Sequence, residues 1–163
     1  MKKIVSLLLL LLVVPFAVYA EKGLEVSREV AINAPVDKVW AVMGNFTDMS
    51  WNPLIVKTEI VEGEAEVPGA VRVLTLNDGS QITEQLVSFQ PEENIYTYTI
   101  TDSVLPISEY ESHISAMSKD GTTLVKWEAR YATDTTADAD MAAPVIQELF
   151  EAGLAGLKMK AEQ

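Results

Sequence analysis

The chain has 163 residues, no cysteine, 24 acidic against 12 basic side chains, and a net charge of −12. Disulfides, zinc–thiolate sites, iron–sulfur clusters and cysteine nucleophiles are therefore excluded. A surface this acidic repels nucleic acid and anionic lipid and favours basic partners.

Residues 1–20 read as an export signal. Lys2 and Lys3 precede an apolar run over 4–17, broken only by Ser6 and Pro15, and Val18-Tyr19-Ala20 follows. That order is the secretory signature. The run is shorter than the ~20 apolar residues of a membrane span, and no cysteine follows it to carry a lipid. Cleavage after Ala20 is expected, with no stable membrane anchoring afterwards. It would leave 21–163 as a single domain and, by removing two lysines and no acids, take the net charge from −12 to −14.

Over 24–33, Leu24, Val26, Val30 and Ile32 alternate onto one face, which predicts a strand. Pro35 suits a first helical turn, and Val36, Val39, Trp40 and Met43 recur at helical spacing up to Gly44-Asn45. A second short helical turn is expected over 46–50, before Trp51-Asn52-Pro53. Six further strands are expected over 54–62, 69–76, 81–89, 95–101, 107–117 and 122–132. Pro68-Gly69, Asp78-Gly79, Pro91-Glu92, Pro106 and Asp120-Gly121 separate them, as in an antiparallel meander. The loop 63–69 is a connection or a flap. Asp140 is the expected N-cap of a final helix, with Pro144 in its first turn and an apolar stripe of Ile146, Leu149, Phe150, Gly153, Leu154 and Leu157. The fold class is thus α+β: one curved seven-stranded sheet around a long C-terminal helix, with two short helices after the first strand. A curved sheet laid on one helix leaves room for a small ligand.

Several motifs carry a resemblance. They are "INAPVDKVWAVMGNF" followed by "WNP", then "GAVRVLTLNDGSQITEQL", "YTYTI" and "YESHI…VKWEARY". Together the chain resembles the START-like (SRPBCC) superfamily of helix-grip proteins, which includes the polyketide cyclase/dehydrase group. The resemblance covers 24–160. With the export signal, the motif order is most similar to MxaD-type periplasmic proteins. It implies a periplasmic accessory protein with an internal hydrophobic cavity. The implied partners are a small hydrophobic ligand and a periplasmic protein of methanol oxidation, either methanol dehydrogenase or its cytochrome c. The alternative is a cyclase- or hydratase-like enzyme acting on a small hydrophobic substrate.

Hairpin register decides which side chains face the cavity. A two-residue turn at Asp120-Gly121 pairs Ile114 with Trp127 and Tyr110 with Tyr131 on one face. It places Glu111 opposite Arg130 and His113 opposite Glu128 on the other. A three-residue loop at Asn77-Asp78-Gly79 pairs Leu74 with Ile82 and Arg72 with Glu84 on the inner face. Arg72 and Glu84 are therefore candidate orienting groups for a polar ligand end. Trp51, Tyr96, Tyr98, Tyr110, Trp127 and Tyr131 are the aromatic candidates, and Leu149 and Gly153 those of the last helix. Gly153 serves either to make cavity room or to let helix and sheet approach closely. His113, the one histidine, points outward, so no Ser–His–Asp arrangement forms. The acids lack calcium-loop spacing. No catalytic residue, metal site or cofactor is assigned, and no nucleic-acid partner is expected.

Overall fold

The computed structural model describes residues 23–163. The expected export signal over 1–20 lies outside the described residues. The elements in chain order are β1 (Leu24–Ile32), α1 (Val36–Met43), β2 (Ile55–Glu62), β3 (Val71–Leu76), β4 (Gln81–Gln90), a 3-10 turn (Pro91–Glu93), β5 (Ile95–Ser103), β6 (Ser108–Lys119), β7 (Thr122–Ala132) and α2 (Thr136–Ala161). The seven strands form one antiparallel sheet in the order β1-β7-β6-β5-β4-β3-β2. Every neighbouring pair but one is a hairpin. The exception joins the first strand to the last, with Leu24 opposite Tyr131 and Ile32 opposite Thr123. This is the helix-grip arrangement, with α2 against the concave face.

Turn chemistry fixes the registers. Asp120 and Gly121 both take positive φ, 49° and 81°. That is the geometry of a two-residue turn matched to strand twist, and it pairs Lys119 with Thr122 and Ile114 with Trp127. Gly79, at φ 87°, closes the Asn77–Gly79 loop and sets Leu74 opposite Ile82 and Arg72 opposite Glu84. The expected Tyr110–Tyr131 pairing is altered. A bulge falls between Ser108 and Glu111, with Glu109 at φ 51°, and the two rings stack at 6.4 Å between centroids. Further register shifts fall in the β2–β3 and β4–β5 pairings. Bulges bend strands and increase twist, which gives the sheet its curvature.

Two local expectations are corrected. The second short helix over 46–50 does not form; turns occupy the segment. Asn45 Oδ1 accepts from the Thr47 amide at 3.0 Å and Asp48 Oδ1 from the Ser50 amide at 2.7 Å. Side chains thus take amides that a helix would have used, the behaviour that draws Asn and Asp into turns. The last helix also begins before Asp140. Thr135 is its N-cap, accepting from the Asp138 amide at 3.1 Å while its hydroxyl donates to the Asp138 carboxylate at 2.6 Å. Pro144 therefore lies inside the helix, where its missing N–H leaves the Asp140 carbonyl without the usual partner.

Two glycines seat α2. A Cβ on Gly153 would stand 2.8 Å from both Trp127 and Asn52, and one on Gly156 would overlap the Trp51 carbonyl oxygen. Of the two roles open to Gly153, close approach is the one realised. Polar ties hold the edges of the contact. Arg28 pairs with Glu151 at 2.7 Å, Lys158 donates to the Ala31 carbonyl at 2.7 Å, and Asn52 Nδ2 donates to the Leu149 carbonyl at 3.1 Å.

Candidate functional site

Inward parity along β3 to β7 places a strip of polar side chains beneath the sheet. Arg72 and Glu84 are 0% and 3% exposed. Arg72 Nε donates to Glu84 Oε2 at 2.7 Å, and its Nη1 donates to the Phe46 carbonyl at 3.1 Å. The guanidinium lies 4.0 Å from the centroid of the Phe46 ring, a cation–π contact. Burial pushes the Glu84 carboxyl above its usual value, against the pull of Arg72. The Arg72 guanidinium is disfavoured by burial but held above its usual value overall by the Glu84 charge.

Beside the pair lies a hydroxyl cluster. Trp127 Nε1 donates to Tyr98 Oη at 3.0 Å and to Ser112 Oγ at 3.2 Å, and Ser112 Oγ donates to the Glu128 carbonyl at 2.7 Å. Burial raises the phenols of Tyr96, Tyr98, Tyr110 and Tyr131. At neutral pH they are protonated hydrogen-bond donors rather than bases. Three buried polar atoms have no partner among the described residues: Trp51 Nε1, Arg72 Nη2 and Tyr96 Oη.

The opening lies at one end of this strip. A cleft of about 250 Å³ separates the N-terminal half of α2 from the sheet. Leu76, Ile82, Ile100 and Tyr110 line it from the strands; Val145, Ile146 and Leu149 line it from the helix. Leu54, Leu105 and the turn residues Asn77 and Asp78 close its rim, with Glu148.

Of the residues singled out from sequence, Tyr110 and Leu149 line this cleft. Arg72, Glu84, Tyr96 and Tyr98 sit deeper, at the buried strip. Trp51 and Trp127 are in contact at 5.6 Å between centroids, and Trp127 stacks on Phe150 at 4.2 Å. The two indoles occupy the space over Gly153. Tyr131 is buried against Tyr110. Arg72 and Glu84 are therefore not groups of the cleft wall: they pair with each other inside the core. His113 faces outward, with Nε2 3.0 Å from Glu128 Oε2. Among the described residues no cluster of His, Cys, Asp or Glu could hold a metal ion, and no helix is long and apolar enough to cross a membrane.

Sequence reasoning missed Ser112, Ile100 and the two cleft acids, Asp78 and Glu148. The first two were within reach: Ser112 shares parity with Tyr110 and Ile114, and Ile100 with Tyr96 and Tyr98. The acids were not, because they come to one cleft only once the β3–β4 turn meets α2.

A family model described as polyketide cyclase / dehydrase and lipid transport matches residues 23–162. Among solved structures, the protein XoxI of Bacillus cereus is 27% identical at a TM-score of 0.74, covering 83% of this chain and 93% of its own. A Thermobifida fusca protein is 23% identical at a TM-score of 0.74, covering 84% and 92%. The Zhui aromatase/cyclase of Streptomyces sp. R1128 is 18% identical at a TM-score of 0.74, covering 86% and 94%, a likeness of fold alone. A comparison with curated proteins finds no match.

Proposed function

We propose that this chain, which belongs to the polyketide cyclase / dehydrase and lipid transport family, is a binding protein that takes a small hydrophobic ligand into the cleft between α2 and the sheet. The observation that carries the reading is the cleft itself: about 250 Å³, walled by leucine, isoleucine and valine, with one phenol, Tyr110, reaching it. Small-ligand sites have this composition, a mostly apolar wall with few polar groups to orient the guest. The raised Tyr110 phenol supplies a donor. A cyclase or hydratase needs a base within reach of its substrate; Glu84 is engaged by Arg72 inside the core, and the carboxylates of the cleft, Asp78 and Glu148, are on exposed residues of its rim.

The test is calorimetric titration of the protein with octanol. Saturable binding is expected, and Leu149→Trp, which fills the cleft from its half-exposed helix side, should weaken it at least about ten-fold, the order of one lost methylene pair or more. Thermal unfolding of the variant checks that it remains folded. Octanol binding untouched by Leu149→Trp would place the ligand elsewhere and overturn the reading.

We further propose that the protein is exported to the bacterial periplasm and acts there as an MxaD-like accessory factor, docking methanol dehydrogenase or its cytochrome c. The support is the order of Lys2, Lys3, the apolar run and Ala20, the motif resemblance, and a mature charge of −14 once the two lysines are gone. Such a charge speeds encounter with a basic partner. Intact mass of the protein recovered from periplasm should correspond to a chain starting at Glu21. A species retaining Lys2 and Lys3 would sink the export reading.

A further inference from the structure

The charges at the cleft are all of one sign. Asp78 and Glu148 are its charged lining residues, and among the described residues neither takes part in an ion pair. Asp78 Oδ1 accepts from the Ser80 hydroxyl at 2.6 Å and amide at 2.9 Å, and these bonds hold its carboxyl below the usual range. It is ionised at neutral pH. No lysine or arginine occurs over 73–118 or over 131–157, the two stretches that supply every lining residue except Leu54. No cation of the chain's own therefore competes for these acids from within the walls. Arg72, which precedes the first stretch, is sealed against Glu84 and the Phe46 carbonyl.

Resting on the ligand-binding reading of the same cleft, we infer that it selects hydrophobic cations: guests with an apolar body and a protonated amine at the solvent end, between Asp78 and Glu148. The apolar body is desolvated by the leucine and isoleucine walls, a gain common to any head group. A carboxylate head would meet two like charges. A hydroxyl head gains hydrogen bonds alone. An ammonium gains attraction from both acids, and at a solvated rim each such pair is modest, so the expected preference is about ten-fold.

The experiment titrates the full mature protein with octylammonium, octanol and octanoate below their micellar concentrations. Octylammonium should bind about ten-fold tighter than octanol and octanoate weakest, with the gap narrowing as salt shortens the screening length. The double variant D78N/E148Q should bring the octylammonium-to-octanol ratio close to one; Asn at 78 can still accept from Ser80 and keep the turn. E64Q/E66Q makes the same change of net charge in the 63–69 loop, at the opposite end of β3, and should leave the ratio intact. A ratio that survives D78N/E148Q, or collapses in E64Q/E66Q, overturns the inference. Octanol binding without head-group preference overturns it while leaving the ligand-binding reading standing. Binding of none of the three overturns both.

Discussion

Arg72→Ala is expected to destabilise the protein by about 3–5 kcal/mol at pH 8, the usual consequence of breaking one partner out of a buried ion pair. Glu84, 3% exposed, would be left as an uncompensated buried carboxylate beside the phenols of Tyr96 and Tyr98. The loss depends on pH in a direction that can be stated. Burial already raises the Glu84 carboxyl above 4.5 in the intact pair, and removal of Arg72 raises it further. A carboxyl whose folded value exceeds its unfolded one favours the fold below the unfolded value, and that contribution is lost as pH rises through the folded value. The variant should therefore lie closer to wild type near pH 4.5 than at pH 8. Arg72→Met combined with Glu84→Leu should recover most of the loss, because a hydrophobic replacement leaves no charge behind. Urea denaturation at the two pH values measures all three proteins. A loss under about 1 kcal/mol at pH 8 would mean that water reaches the pair and that its burial is overstated.

Gly156→Ala should be comparably damaging, although alanine is the better helix former by about 1 kcal/mol. The added methyl would overlap the Trp51 carbonyl oxygen and stand 3.0 Å from Pro53 Cδ. Both belong to a backbone turn that cannot rotate aside as a side chain can. Helix α2 must retreat, opening its contact with Trp51 and Trp127, and the net loss is expected at about 3 kcal/mol, the upper part of the overpacking range. Ala155→Gly, one residue away on the exposed face, isolates the propensity term and should lose only about 1 kcal/mol. Equal or greater stability of Gly156→Ala in thermal unfolding would show that the helix stands further from the turn than the structure places it.

What was legible in the chain follows from the range of the interactions involved. Hairpin registers are local. Asp120-Gly121 and Asn77-Asp78-Gly79 state their turn geometry in two or three residues, and the pairing of Ile114 with Trp127 and of Arg72 with Glu84 follows. The inward parity of Tyr110, Trp127 and Tyr131 was legible for the same reason. Boundaries set by side-chain competition were not. Asn45 and Asp48 bend 45–50 into turns, and Thr135 starts α2 ahead of Asp140. The division of inward residues into open and filled was hidden as well. It depends on how closely α2 sits at Gly153 and Gly156, a tertiary distance absent from any pattern. Parity alone therefore assigned Arg72, Glu84 and Trp127 to a cavity wall that tertiary packing fills.

The pairing of β1 with β7 has a kinetic side. Leu24 and Tyr131 lie 131 − 24 = 107 positions apart, so closing the sheet joins segments that diffuse independently until the last strand exists. Loop closure must precede any reward from that contact, and folds rich in such distant pairings fold slowly. A chain emerging from the ribosome amino end first has its opening strand ready long before β7 is made, and until then β1 has no neighbour. The order of synthesis thus delays closure of the sheet until β7 has been made.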